Sequence, residues 1–368
     1  MNFLATNSVF DVFMYTFNGV FPIIALILLG YVLKIKGFLS EDFLKKGNSF
    51  VFKVCLPCLL FINIYSIKSF NEIDFNVVLY SEIAIIFFFA VGLLVVKLFI
   101  PEEKQKGVVL QCVIRSNFAI IGLPLAKAFG GEAGANVAAI LSAFSIPTFN
   151  ILAVIALTMY IKSDEKKGSI KKTLINICKN PLILGVLSGL VVLGIRSLIP
   201  HEQVYTITET MVGESIKIQS ETYKSPVWSL QNNLPFIYTT IKNISVIASP
   251  LALFILGGNF KFSAVKGMFK QISIGVVFRI LIVPFIAIFT AVILVNYKVI
   301  NFTNPQAVWP AFIALFGSPV AVSSAIMAQD MDNDGTLAGQ LVVWTSVLSI
   351  FTIFMLVMIL GLTGTIAI

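Results

Sequence analysis

Long apolar runs alternate with short polar connections along the whole chain. Each run approaches the ~20 residues that cross a bilayer as a helix, and far exceeds the ~10-residue alternating strands of an outer-membrane barrel. The pattern therefore predicts an all-α membrane protein with ten transmembrane helices. Their approximate ranges are 17–33, 48–66, 77–99, 107–129, 135–161, 174–198, 235–258, 271–296, 307–330 and 336–361.

Composition supports this class of protein. Hydrophobic residues make up 58% of the chain, charged residues make up 12%, and the mean hydropathy is +0.95. These values exclude an ordinary soluble globular protein. The net charge is +8, but the basic residues lie in short runs between apolar segments, so they predict membrane topology and not nucleic-acid binding. The expected partner is the lipid bilayer, with no nucleic acid. Residues 1–18 lack the pattern of a removable signal peptide.

The distribution of Lys and Arg predicts the orientation. With the N-terminus outside, the inner connections and helix ends hold seventeen of these residues and the outer ones hold seven, while Arg115 and Arg279 lie within spans. Basic residues favour the inner side. The expected location is thus the cell membrane, as a multi-pass protein with both termini outside. Residues 200–233 form a polar outer loop in this scheme.

The fourth segment is interrupted by Arg115-Ser-Asn-Phe-Ala-Ile-Ile-Gly-Leu-Pro124. A charge, an amide and a proline are each unfavourable in a lipid-facing helix, so together they indicate a broken helix that lines a polar site. Pro124 is expected to open the helix near residues 117–123, with Gly122 allowing unusual dihedral angles.

A second interruption, Gly317-Ser318-Pro319, lies in the ninth segment, five segments later. Proline also recurs between the second and seventh segments, as Pro57 and Pro250. A repeat of five spans must be inverted in the membrane, so the sequence predicts two inverted five-helix repeats with broken helices 4 and 9 facing each other. This architecture is common among secondary transporters.

These interruptions define the candidate substrate site. Asn117 and Ser116 are expected to contact substrate, as are Ser318 and Ser323, although such residues also bond helices together for structural reasons. Arg115 either binds ligand or gates the site, or it has a structural role, in which it snorkels to the inner surface or pairs with a carboxylate such as Glu82. The half-helix after each proline presents an N-terminus that favours negative charge, which predicts an anionic substrate.

Glu82 is a carboxylate that falls inside a span. A buried acid of this kind is a candidate for carrying a coupling proton, unless it lies one turn from the outer surface. No enzyme is predicted, because catalytic constellations need clusters of His, Asp or Glu, and the sole histidine, His201, lies in the outer loop. The sequence accordingly predicts no catalytic residue, cofactor or metal site.

Three motifs resemble the auxin efflux carrier family: Phe21-Pro-Ile-Ile-Ala-Leu-Ile-Leu-Leu-Gly-Tyr, Arg115-Ser-Asn-Phe-Ala-Ile-Ile-Gly-Leu-Pro-Leu and Ser318-Pro-Val-Ala-Val-Ser. The resemblance covers nearly the whole chain. It implies a fold like that of bile acid/sodium symporters and sodium/proton antiporters, with helices 4 and 9 crossing at their prolines. It also implies a homodimer through scaffold helices. Plant members carry auxin, and bacterial members are associated with malate, malonate or similar carboxylates.

The implied domains are residues 1–66 (scaffold helices 1–2), 67–161 (transport-domain helices 3–5), 162–260 (scaffold helices 6–7 with the outer loop) and 261–368 (transport-domain helices 8–10). The short connection between helices 5 and 6 departs from the plant pattern, which favours a small carboxylate over auxin. We therefore expect an elevator-type carrier of an organic anion, with a proton or sodium as candidate coupling ion. Pro57 and Asn63 are expected to form the scaffold wall of the site. The alternative is a membrane sensor or receptor with a transporter-like fold.

Overall fold

A computed structural model describes residues 9–67, 74–160, 181–212, 215–259 and 267–366. Helices α1 to α7 are Val9–Ile35, Glu41–Phe50, Leu56–Tyr65, Phe75–Phe99, Glu103–Ile114, Leu123–Thr158 and Pro181–Leu198. Helices α8 to α14 are Leu230–Asn233, Pro235–Gly258, Phe269–Val277, Val283–Asn296, Pro305–Gly317, Ser323–Asp330 and Gly335–Leu362. Three π-helical turns, Val51–Cys55, Phe118–Gly122 and Phe278–Ile282, lead into α3, α6 and α11.

The membrane part is helical, as predicted. Within the described ranges, seven helices are long and apolar enough to cross a membrane, and Leu184–Leu198 is a shorter apolar helix. One of the seven, Phe118–Thr158, has 41 residues, about twice what a single crossing needs. It is divided at Gly131, where φ is 57° and ψ is −150°. This break falls where the sequence predicts the connection between the fourth and fifth spans. The ten-span inverted repeat stays a prediction.

Each π-turn has the same local cause, a proline that follows two residues after it. Pro57, Pro124 and Pro284 stand at the second position of α3, α6 and α11. Proline has no N–H to donate to the carbonyl four residues earlier, and its ring crowds that carbonyl. In all three cases that carbonyl belongs to the π-turn, so the helix widens there without ending.

Glycines allow close contacts between helices. A methyl group at Gly30 of α1 would lie 1.9 Å from the carbonyl oxygen of Phe254, and one at Gly257 of α9 would lie 1.8 Å from that of Ile27. Small residues permit this kind of backbone approach between membrane helices. Helix α3 likewise packs on α7, where a methyl group at Gly185 would lie 2.6 Å from the Pro57 carbonyl oxygen.

The polar segment between α7 and α8 contains two paired strands, in contrast to the loop predicted from the sequence. Strands β1 (His201–Val212) and β2 (Ser215–Pro226) form an antiparallel hairpin that pairs residue 201 with residue 226. The polarity of this segment predicts a loop, but β1 also contains the β-forming residues Val, Ile, Thr and Tyr, and β2 contains Ile, Thr and Tyr.

Candidate functional site

The two interrupted segments pair with each other. Ser116 and Val320 form an isolated antiparallel β-bridge. The Asn117 N–H donates to the Pro319 carbonyl at 2.7 Å, and the Ala321 N–H donates to the Arg115 carbonyl at 3.2 Å. Backbone that leaves a helix at membrane depth must find other hydrogen-bond partners, and each segment supplies them for the other. The prediction that the two breaks face each other is confirmed.

The position of the crossing differs from the prediction on one side. Pro319 lies at the crossing, whereas Pro124 lies seven residues beyond Asn117, in the helix that follows the π-turn. The helix opens at Arg115, whose φ of −83° and ψ of 104° are extended, and not near Pro124. The expectation that both helices cross at their prolines is therefore wrong for Pro124, which widens the helix without unwinding it.

Gly122 serves close packing and not an unusual backbone conformation. Its φ of −66° and ψ of −48° are helical, contrary to the expectation from the sequence. A methyl group there would lie 2.4 Å from the Phe118 ring and 3.0 Å from the carbonyl oxygen of Ala314 in α12. The absence of a side chain lets the π-turn approach the second broken helix.

A cavity of about 520 Å³ lies beside the crossing. It falls within the usual range for small-molecule sites. Its described lining combines residues of α2, the first two π-turns, the start of α3, the paired interruptions, α6, α7 and α13. They are Lys45, Asn48, Ser49, Phe52, Lys53, Leu56, Arg115, Ser116, Asn117, Ala119, Ile120, Ile146, Phe149, Asn150, Leu182, Ala321, Val322, Ser323 and Met327. Of the residues predicted for the site, Arg115, Ser116, Asn117 and Ser323 line this cavity.

Arg115 points across the crossing and not toward the surface. It is 5% exposed. Its guanidinium donates to the Asn150 side-chain oxygen at 2.8 Å and to the Ser323 hydroxyl at 3.0 Å, and it contacts the Met327 sulfur. These partners are neutral, and no ion pair joins Arg115 to an acid within the described part of the chain. Both structural alternatives considered for Arg115, snorkelling and pairing with Glu82, are therefore wrong.

Two neighbouring side chains keep hydrogen-bonding capacity free. The Asn117 side-chain amide nitrogen and the Ser116 hydroxyl are buried, and neither has a hydrogen-bond partner. A buried polar group without a partner is costly and calls for an explanation, such as a ligand or water. Since both residues also line the cavity, these donors are available to a bound molecule.

All charged residues in the described lining of the cavity are basic. Lys45 and Lys53, both exposed, line it together with the buried Arg115, and no Asp or Glu is part of that lining. Three cations without a compensating acid give the cavity a positive potential. Neither lysine was predicted from the sequence as a site residue, because both were counted there only as topology signals.

The other residues predicted at the second interruption make hydrogen bonds at the crossing or lie beside it, but do not line the cavity. The Ser318 side chain is fully buried and donates to the Ala314 carbonyl at 2.6 Å, so its hydroxyl is already used within the helix. Pro319 contributes its carbonyl to Asn117. Gly317, Ser318 and Pro319 are not among the cavity-lining residues, and neither are Gly122 and Pro124.

One wall of the cavity is lined by other residues than those predicted. Pro57 and Asn63 do not line the cavity, and Pro57 instead packs against Gly185. The lining residues on this side lie earlier in the chain, on α2, on its π-turn and at the start of α3, from Lys45 to Leu56. Asn150 was also missed, because its contact with Arg115 joins positions 35 residues apart and leaves no local pattern.

Glu82 lies outside the cavity and bonds α4 to α6. Ser145 donates to one of its carboxylate oxygens at 3.0 Å, and Thr148 donates to the other at 2.6 Å. Its role as a coupling group stays a prediction.

Arg279 is a buried cation to which the sequence pattern assigns no role. It is 1% exposed and lies in the π-turn before α11. Its guanidinium donates to the carbonyls of Val113 (3.3 Å) and Ile114 (3.2 Å) at the end of α5. It also donates to three carbonyls at the end of α12, those of Leu315 (3.2 Å), Phe316 (3.0 Å) and Ser318 (2.9 Å). Main-chain partners leave no trace in the sequence, which explains why the contact could not be predicted.

Residues 15–357 match the model of a family described as membrane transport protein. The chain is also 27% identical, over 179 residues, to an uncharacterised transporter of Methanocaldococcus jannaschii. That alignment covers 46% of this chain and 55% of the relative, so the chain spans about half the length of the curated relative it matches. Because the family match extends over most of its length, the chain belongs to the membrane transport protein family, that of the auxin efflux carriers.

Proposed function

We propose that this chain is a secondary transporter that moves a small organic anion through the cavity beside the crossing. The observation that carries the proposal is the buried Arg115 guanidinium, which faces the cavity without an acidic partner in the described structure. A buried charge is costly unless it is paired. A substrate carboxylate would supply the missing partner through a bidentate contact, and Asn117 would donate to the same ligand.

The helix N-termini at the cavity also favour a negatively charged substrate. The first residues after each interruption, Ala119 and Ile120 on one side and Val322 and Ser323 on the other, line the cavity. The N-terminus of a helix carries free N–H groups and a partial positive charge. The site thus suits a carboxylate such as malate or malonate, or an auxin-like acid, and repels a cation.

The cavity wall suggests how the substrate is released. Lys45 and Lys53 are among the seventeen Lys and Arg residues that the predicted topology places on the inner side of the membrane. A cavity lined by them opens inward in the predicted topology. We propose elevator-type alternating access, in which helices 3–5 and 8–10 carry the crossing past scaffold helices 1, 2, 6 and 7, and in which two copies dimerise through the scaffold. Glu82 is the candidate group for a coupling proton.

Reconstitution in liposomes tests the proposed function. We expect saturable uptake of labelled malonate or malate, with competition by other small carboxylates and none by a cation of similar size such as choline. Empty liposomes provide the background. Lack of saturable uptake of malonate, malate and indole-3-acetate would remove the claim that the substrate is a carboxylate.

A further inference from the structure

We propose that the Arg279 guanidinium is a built-in cation that takes the place of a coupling metal ion at the crossing, so that anion transport by this chain needs no sodium. The inference rests on the proposed function, because anion binding is the activity whose dependence on sodium is measured. It concerns a part of the crossing that does not line the cavity, since Arg279 is not among the cavity-lining residues.

The position of Arg279 is defined by the two half-helices that end at the crossing. Five main-chain carbonyls accept hydrogen bonds from it, two at the end of α5 and three at the end of α12. The C-terminal end of a helix carries unpaired carbonyls and a partial negative charge. One guanidinium therefore neutralises both negative ends at once.

These carbonyls are the groups that would otherwise attract a metal cation. In transporters with discontinuous helices, half-helix C-terminal ends and unwound carbonyls coordinate the coupling sodium ion. A sodium ion on the oxygens of Ile114 or Ser318 would lie beside the guanidinium, since each of these oxygens is already within 3.2 Å of an Arg279 nitrogen. Like-charge repulsion at that distance, in a buried place, opposes its binding.

A fixed cation differs from a bound metal ion in being permanent. Arginine stays protonated in proteins, so the loaded and the empty carrier have the same charge behind the crossing. The negative helix ends are cancelled in both states, and the N-terminal ends, Arg115 and the two cavity lysines determine the potential that the substrate meets. Anion affinity then depends on Arg279 but not on the sodium concentration.

The test measures the purified protein in sodium chloride and in choline chloride of equal concentration. Malonate binding is measured in both salts, and the midpoint of thermal unfolding is measured in both salts without malonate. For the wild type we expect malonate affinities that agree within about twofold and no sodium-specific rise in the midpoint. Arg279→Lys should bind malonate in both salts because it keeps the charge.

Removing the charge should change this behaviour. We expect Arg279→Gln to lose at least about tenfold in malonate affinity in choline chloride, with partial recovery in sodium chloride as the freed carbonyls accept the metal. Arg196→Gln is the matched control. Arg196 also donates to main-chain carbonyls, those of Tyr65 and Ile67, but far from the crossing along α7, and its loss should leave malonate affinity and salt response unchanged.

Two results would overturn the inference. The first is a wild-type protein whose malonate binding requires sodium, or whose unfolding midpoint rises specifically in sodium chloride. The second is a folded Arg279→Gln protein that binds malonate in choline chloride as tightly as the wild type does. If Arg279→Gln does not fold, the wild type and Arg279→Lys in the two salts decide. Absence of malonate binding in both salts would count against the proposed substrate class instead. In that case, the unfolding midpoints in sodium chloride and in choline chloride, both measured without malonate, would still test Arg279.

Discussion

At the scale of residues, two buried arginines have different tasks. Arg279 is saturated by main-chain carbonyls, whereas Arg115 has neutral partners and borders a cavity. Removing a charge-assisted hydrogen bond costs roughly 1.5–3 kcal/mol. Because Arg115 lines the cavity and Arg279 does not, we expect only Arg115 to lose a direct contact with the substrate when its charge is removed.

Arg115→Gln should therefore weaken anion binding by about 10- to 100-fold, since 1.4 kcal/mol corresponds to a factor of ten. Arg115→Lys should retain part of the affinity, because it keeps the charge but loses the two-pronged donor. Lys127→Gln is the control, a cation whose ion pair with Glu132 is exposed. Titration of malonate into each purified variant measures the effect. Equal affinity in wild type and Arg115→Gln would contradict the role of Arg115.

Asn117→Ala should abolish uptake of the anion while the protein remains folded. The substitution removes a buried donor, the side-chain amide nitrogen of Asn117, from the cavity. Because this nitrogen makes no hydrogen bond within the protein, no such bond of it is lost. Asn296→Ala, at the exposed end of α11, is a matched substitution that should leave uptake unchanged. Uptake in liposomes compares the two. Normal transport by Asn117→Ala would exclude the residue from the site.

These residues could be predicted to different extents, for physical reasons. Arg115, Ser116 and Asn117 are conspicuous because polar side chains at membrane depth are costly. Lys45 and Lys53 are not, since a basic residue near a helix end is ordinary in a membrane protein and only tertiary packing brings α2 to the crossing.

At the scale of elements, proline and glycine shape the broken helices. The sequence correctly indicated two interruptions that meet, because proline and polar residues are poorly tolerated in a spanning helix. It placed the first opening too late, since a proline can be absorbed by a π-turn, as at Phe118–Gly122. The hairpin of β1 and β2 was missed because polarity alone does not distinguish a loop from a pair of strands.

Gly122→Ala should lower the midpoint of thermal unfolding in detergent, by an amount corresponding to about 1–3 kcal/mol of overpacking. The new methyl group would press on the Phe118 ring and on the Ala314 carbonyl, which is main chain and cannot move freely. Gly194→Ala in α7 is the matched control, because a methyl group there meets no atom within 4 Å. A midpoint unchanged in Gly122→Ala would show that the approach of the two broken helices is not tight.

At the scale of the whole molecule, the cavity lies between the crossing and α2, so its direction of opening depends on topology. The predicted orientation puts α2 at the inner surface and the connection near Gly131 at the outer surface. We expect a membrane-impermeant maleimide to label Lys127→Cys but not Lys46→Cys in intact cells, in a background whose four cysteines are replaced. Both positions are exposed. The reverse labelling pattern would invert the topology.

The central claim is that the chain carries an organic anion through the crossing, and counterflow tests it most directly. Liposomes loaded with unlabelled malonate are diluted into labelled malonate, with wild type, Asn117→Ala and Asn296→Ala compared. We predict transient accumulation of label for wild type and Asn296→Ala, and none for Asn117→Ala. Malonate that binds the wild-type protein saturably without any exchange of label would contradict transport and favour a membrane receptor.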